Sequence, residues 1–283
     1  MAKIIDGKAH AAAIKKEVTV EAAQFYMDNK VIPHLVVLIV GEDPASEVYV
    51  RNKHKACEDV GFKSTILRHP ADETEENLLM VIEGLNNNPE VHGILVQLPL
   101  PKHLNEEKIL LAIDPKKDVD SFHPYNVGKL MIGNYDFAPC TPAGIMEMLN
   151  REEIDIEGKE CVVIGRSNIV GKPIAQFLMQ ANGTVTVCHR KTKNLPKICR
   201  RADRLVCAIG KPKFVTSDYV KLGAVVIDVG INRVEGKLCG DVDFEVVKDI
   251  ASYITPVPGG CGPMTVAMLL KNTLKAAKLQ TTR

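Results

Sequence analysis

The chain has 283 residues, 46% hydrophobic and 25% charged, with 36 basic against 35 acidic side chains. This is the composition of an ordinary globular protein long enough for two α/β domains, and the even charge balance without a basic run excludes a broad nucleic-acid face. Apolar runs such as Leu35–Val40 are strand-sized and too short to cross a bilayer, so neither nucleic acid nor membrane is expected as a partner.

The opening Met-Ala-Lys-Ile-Ile-Asp-Gly has no apolar signal core and no Arg-rich presequence, which points to a cytoplasmic protein. Residues 7–29 read as a helix carrying Ala12, Ile14, Val18 and Ala22 at helical spacing. Leu35–Val40 then reads as a strand covered on both faces. Asp43-Pro44 predicts a helix start, and projecting residues 46–60 gathers Ser46, Tyr49, Val50, Lys53, Ala56, Cys57 and Val60 within roughly 120° of arc. Lys53 thus sits inside an apolar stripe, one turn after Tyr49. Two readings fit: a packed stem whose ammonium snorkels to water, or a desolvated lysine that exchanges protons.

A short strand is expected at 63–68, and a helix from the capping residue Thr74 to about Leu85. Gly93-Ile94-Leu95-Val96-Gln97-Leu98 follows as a strand whose polar residue, Gln97, lies at its C-terminal end, where open parallel sheets bind ligands. A buried amide there needs partners: either nearby backbone or a functional group. After a helix near 105–113, the loop Lys116-Lys117-Asp118-Val119-Asp120 places two carboxylates two residues apart, pointing the same way if the loop is extended. They are surface acids, or one grips an N–H/N–H edge with two parallel hydrogen bonds.

Pro139-Cys140-Thr141-Pro142 punctuates the chain before a helix at about 143–150. Residues 159–175 then read as strand, tight turn and helix, the context of a dinucleotide fingerprint. Here Ser167 replaces the second glycine after Gly165, and Gly171 arrives one residue late. The next strand, 184–188, ends in His189-Arg190, where a base suits the extra phosphate of NADP; Arg166 points the same way. With strands at 204–209, 224–229 and 253–254, a five-stranded Rossmann-like unit is expected. The glycine-rich stretch Thr255–Thr265 exposes backbone N–H groups before a last helix bearing Val266, Leu269, Leu270, Leu274 and Ala277. The eight cysteines show no Cys-x-x-Cys pair and the eight histidines no cluster, so reduced thiols and no metal site are expected.

The combination of Tyr49-Val50-x-x-Lys53, Val96-Gln97-Leu98-Pro99, Lys117-Asp118-Val119-Asp120, Gly165-Arg166-Ser167-x-x-Val170-Gly171-x-Pro173 and Pro256-Val257-Pro258-Gly259-Gly260-x-Gly262-Pro263-Met264-Thr265 closely resembles the bifunctional methylenetetrahydrofolate dehydrogenase/methenyltetrahydrofolate cyclohydrolase family. The resemblance covers essentially the whole chain. It implies NADP-dependent oxidation of 5,10-methylenetetrahydrofolate, then hydrolysis of the methenyl product to 10-formyltetrahydrofolate, in a homodimer. The expected fold is α/β with two domains: a parallel-sheet folate-side domain over residues 1–139, on which a C-terminal helix (263–283) packs back, and a Rossmann-like NADP-binding domain over 140–262, with the active-site cleft between them.

Carried over by position, Lys53 would be the catalytic lysine and Gln97 its hydrogen-bonding partner. Tyr49 would stack along the folate and Asp120 would bind the pterin's amino-pyrimidine edge. Val96, Leu98, Pro258, Gly259, Gly260 and Gly262 would line the folate site. Gly165, Arg166, Ser167, Gly171 and Ile231 would contact NADP, with Arg190 near its 2′-phosphate. Three positions depart from the family's habit: Ser121 for Gly, Cys261 for Val, and Arg190 where Ser is frequent. A two-domain NADP enzyme resembling shikimate dehydrogenase is the nearest alternative, and the Gly-Arg-Ser turn and the Pro-Gly-Gly segment argue against it. A binding protein that has lost catalysis is disfavoured by the complete set Tyr49, Lys53, Gln97 and Asp120.

Overall fold

The computed structural model describes residues 1–281. The chain opens with β1 (Lys3–Ile4), α1 (Gly7–Asn29), β2 (His34–Val40), α2 (Pro44–Asp59), β3 (Lys63–His69), α3 (Glu75–Asn87) and β4 (Gly93–Val96). It continues through α4 (Glu106–Leu111), α5 (Pro124–Met131), α6 (Cys140–Arg151), β5 (Glu160–Ile164), α7 (Gly171–Gln180), β6 (Thr184–Cys188), α8 (Leu195–Cys199) and β7 (Arg204–Cys207). The last elements are β8 (Val225–Asp228), β9 (Asn232–Val234), β10 (Lys237–Cys239), α9 (Phe244–Val247), β11 (Tyr253–Ile254) and α10 (Cys261–Thr281). The chain divides into two compact units, Ala13–Cys140 with the chain from Val266 on, and Met1–Ala12 with Thr141–Thr265.

The first of these is built on a three-stranded parallel sheet, β3-β2-β4. All seven residues of central β2 are buried, as a strand covered on both faces requires. Val36, Leu38, Ile82, Ile94 and Ile109 form one apolar cluster beneath α3 and α4. The helix starts fall where the sequence predicts them: the Asp43 carboxylate accepts from the Ser46 N–H at 2.8 Å with Pro44 in the first turn, and the Thr74 hydroxyl accepts from the Asn77 N–H at 3.2 Å. Along α1 the buried stripe runs through Ala11, Ile14, Val18, Ala22 and Phe25, one residue before the expected Ala12, which is exposed. In the C-terminal part of α10, the buried Asn272 amide donates to the carbonyls of Val119 and Ala138, both at 2.8 Å.

The other unit carries a six-stranded parallel sheet in the order β1-β11-β8-β7-β5-β6. Five strands were expected; the sixth is Lys3–Ile4, registered on Tyr253–Ile254. Two residues are too few to leave a periodic signal. Its pairing also sets residues 1–12 with this sheet rather than with the segment that follows. The Glu235-Gly236 turn, with φ of 49° and 78°, closes the unforeseen β9–β10 hairpin. Both Pro-containing helix starts come earlier than expected, at Cys140 and Cys261, because Pro142 and Pro263 occupy first-turn positions whose N–H groups need no intrahelical partner. All eight cysteines are free thiols. Among the described residues, no helix is long and apolar enough to cross a membrane.

Candidate active site

In parallel sheets the C-terminal strand ends collect ligand-binding groups, and in the three-stranded unit α2 leaves that end of β2. Its inward face buries Val50, Ala56, Cys57 and Val60, and Lys53 among them is only 8% exposed. The Lys53 ammonium does not snorkel outward. It donates from Nζ to Oε1 of Gln97 at 3.1 Å.

Gln97 extends the β4 ladder through its N–H to the Leu38 carbonyl at 2.8 Å, and its side-chain Nε2 donates to the Leu98 carbonyl at 2.7 Å. The amide therefore meets both sequence readings, backbone capping with one atom and the lysine with the other. That division fixes its orientation, because only the oxygen accepts. Tyr49, half-buried one turn before Lys53, has its phenol raised above the usual range by burial.

The two carboxylates of the Asp118–Asp120 loop separate in role. The loop is a tight turn rather than an extended segment, with Ser121 at φ 61°. Asp118 is buried and accepts from the N–H of His123 at 2.8 Å and from Asn126 Nδ2 at 2.8 Å, so it holds the loop. Asp120 retains some exposed surface as a residue, yet burial of its carboxyl raises its pKa; the Lys53 charge opposes that rise, helped by the Cys140 thiol. Cys140 is a neighbour that sequence reasoning missed: its own pKa is pushed well up by burial and by the Asp120 charge. A cysteine twenty residues from its partner across two loops carries no local signal.

In the six-stranded unit, the β5–α7 turn shows why its glycines are required. Gly165 has φ 126°, and a Cβ there would stand 2.1 Å from the Ala208 carbonyl oxygen. At Gly171 a Cβ would meet the Gly165 oxygen at 2.4 Å. Ser167, the departure from the usual fingerprint, accepts on Oγ from the N–H of Val170 and of Gly171, both at 3.2 Å. Its hydroxyl thereby organises the start of α7, which has no other side-chain cap.

Beside this turn lies a cavity of 390 Å³ lined by Gly165, Arg166, His189, Arg190 and Lys211 together with apolar Leu195, Ile209 and Phe214. Three cations and no carboxylate among the lining residues suit a polyanion, and the apolar wall suits a planar ring. These residues fit a phosphorylated dinucleotide. Gly165, Arg166 and Arg190 all line this cavity, Ser167 and Gly171 shape the turn behind, and Lys211 is a lining residue the sequence reading missed.

Ile231 stands apart from that cavity; it is 47% exposed, and its Cδ1 is 3.9 Å from where a Gly262 Cβ would lie. In the glycine-rich segment, Gly259 has φ 110°, and a Cβ on Gly260 would meet the Pro256 carbonyl oxygen at 2.6 Å. Backbone conformation thus favours glycine at 259 and packing requires it at 260, whereas a Cβ on Gly262 would make only an ordinary contact with Ile231. Pro258 follows a cis peptide bond. The buried Asp228 and Asp241, at the end of β8 and after β10, escaped the sequence reading; burial pushes the Asp228 carboxyl up to about 7 against the backbone N–H groups of Val242, Asp241 and Gly230.

Comparison with known proteins places these features in a family. Residues 5–120 match the model of the tetrahydrofolate dehydrogenase/cyclohydrolase catalytic domain, and residues 139–281 that of its NAD(P)-binding domain. The chain is 59% identical over 280 residues to the bifunctional protein FolD of Acetivibrio thermocellus, covering 99% of this chain and 98% of that one. The crystal structure of the bifunctional FolD enzyme of Campylobacter jejuni superposes with a TM-score of 0.96 at 52% identity, covering 99% of both chains. The Trypanosoma brucei FolD enzyme, solved with NADP cofactor and an inhibitor, gives 0.96 at 43% identity over 100% of this chain and 99% of that one. With both domain models matched in order and relatives above half identity along its full length, this chain belongs to the tetrahydrofolate dehydrogenase/cyclohydrolase family.

Proposed function

We propose that the chain oxidises 5,10-methylenetetrahydrofolate to 5,10-methenyltetrahydrofolate and hydrolyses that product to 10-formyltetrahydrofolate, with NADP as cofactor. The observation that carries the reading is the Lys53–Gln97 hydrogen bond of 3.1 Å at the C-terminal end of a parallel sheet, with Asp120 beside it. Bound NADP supplies the hydride acceptor. Arg166, Arg190 and Lys211 would hold its phosphates, with Arg190 at the 2′-phosphate, and Ile231 would touch it from its own loop. The oxidation asks for no strong acid or base, since the folate nitrogens push electron density as the C–H bond breaks. The protein has only to hold the carbon in line and exclude water.

Hydration needs proton movement. Water adds to the methenyl carbon and loses a first proton, N5 gains a proton, and the carbon–N5 bond breaks as the added hydroxyl gives up its remaining proton to solvent, leaving the formyl group on N10 with one net proton released. Lys53 takes the first proton as an amine and returns it to N5 as an ammonium. Gln97 Oε1 steers the lysine, Asp120 as a carboxylate accepts two N–H bonds from the pterin edge, and Tyr49 stacks along the folate. Val96, Leu98, Pro258, Gly259, Gly260 and Gly262 would line the substrate. An even charge balance and free thiols support a cytoplasmic enzyme with no nucleic-acid or membrane partner, and the family supports a homodimer. Mixed with methylenetetrahydrofolate and NADP, the chain is expected to generate NADPH, followed by absorbance. Absence of NADPH would overturn the oxidative half.

A further inference from the structure

Asp241 has no part in the chemistry above, yet it is the most heavily bonded carboxylate beside the dinucleotide cavity. It has no accessible surface. Oδ2 accepts from the N–H of Ile209 at 2.7 Å and of Gly210 at 3.0 Å; Oδ1 accepts from the N–H of Lys211 at 2.8 Å and from Asn232 Nδ2 at 3.0 Å. Ile209 and Lys211 are cavity wall. The turn is gripped by backbone as well, with the Val215 N–H donating to the Asp241 carbonyl at 2.9 Å and the Lys213 N–H to the Gly240 carbonyl at 3.0 Å.

The space around this carboxylate is built for it. A Cβ on Gly230 would lie 2.3 Å from the Asp241 carboxyl carbon. Asp228, on the adjoining strand, fixes Asp241 from behind by accepting its N–H at 2.9 Å and that of Val242 at 2.9 Å. A buried carboxylate is costly unless its lone pairs are met, and here four N–H donors, three from the 209–211 turn and one from the first residue of β9, meet them. An amide could not substitute, because its NH₂ would face two N–H donors.

We propose that Asp241 is a positioning residue for the cofactor: its carboxylate holds the 209–211 turn, and with it Lys211 and the apolar wall, in the geometry that receives the dinucleotide. The inference rests on the reading of that cavity as the NADP site. The methenyl hydrolysis needs no dinucleotide, which separates positioning from general damage.

The test is Asp241→Asn, with NADP affinity measured by calorimetry and both half-reactions assayed. Losing charge-assisted bonds to the turn is expected to raise the Kd and KM for NADP about tenfold or more, leaving dehydrogenase kcat and the hydrolysis of preformed methenyltetrahydrofolate within about twofold. Wild-type NADP affinity in the folded variant, or parallel loss of both half-reactions, overturns the inference. Should Asp241→Asn fail to fold, Asn232→Ala removes one donor and keeps the three backbone bonds; it is expected to raise the Kd about threefold, and an unchanged Kd there also overturns it. A wild-type chain that does not bind NADP overturns the reading beneath, whereas equal binding by wild type and variant overturns this inference alone.

Discussion

Lys53→Met is expected to abolish hydration of methenyltetrahydrofolate, by about a thousandfold on the scale of general acid–base catalysis, while NADP affinity stays at its wild-type value. Methionine matches the lysine stem in length and packs against the same apolar face, so α2 is expected to persist. The change leaves Oε1 of the half-buried Gln97 without its donor, a cost of about 1 kcal/mol. The groups expected to hold NADP, Arg166 and Arg190, belong to the six-stranded unit, which does not contain Lys53. Decay of methenyltetrahydrofolate absorbance without dinucleotide reads the first effect and calorimetry the second. Full hydrolase activity would remove Lys53 from the mechanism.

Gly165→Ala carries the second large effect, on stability and cofactor binding together. At φ 126° a side chain is strained, and its Cβ would stand 2.1 Å from a backbone oxygen of Ala208, next to β7. The strained conformation costs about 1–3 kcal/mol and forcing β5 from β7 a similar amount. The expected outcome is a denaturation midpoint lowered by a loss of about 3 kcal/mol or more, with NADP binding weakened at least tenfold. Gly210→Ala is the control: its φ is 64° and nothing lies within 4 Å of the added carbon, so about 1 kcal/mol is expected. Equal stability of both variants would contradict the packing account.

These expectations rest on features unequally visible in the sequence. The helix carrying Tyr49 and Lys53 was legible because capping chemistry and a helical apolar stripe are local, and both appear as predicted. Gln97 was legible as a polar residue ending an apolar strand, although its choice of Lys53 as partner depends on β4 lying beside β2. Asp118 and Asp120 looked alike in sequence; the turn at Ser121 assigns one to the loop and leaves the other near Lys53 and Cys140. Gly259 and Gly260 looked like ligand-facing residues, and a positive φ at the first and close backbone approach at the second account for them regardless of any ligand. The two-residue strand β1 and the Asp241 clamp were invisible because their partners lie far along the chain.

Lys53 and Gln97 act as one unit in the proposed hydrolysis, and Gln97→Ala addresses that pair without removing the lysine. The measurement is the rate of methenyltetrahydrofolate hydrolysis in the absence of dinucleotide, wild type against Gln97→Ala, with NADP affinity as the control for folding. Loss of a hydrogen bond to a charged group predicts a fall of about 10- to 100-fold at unchanged NADP affinity. Hydrolysis at the wild-type rate in the folded variant would contradict it.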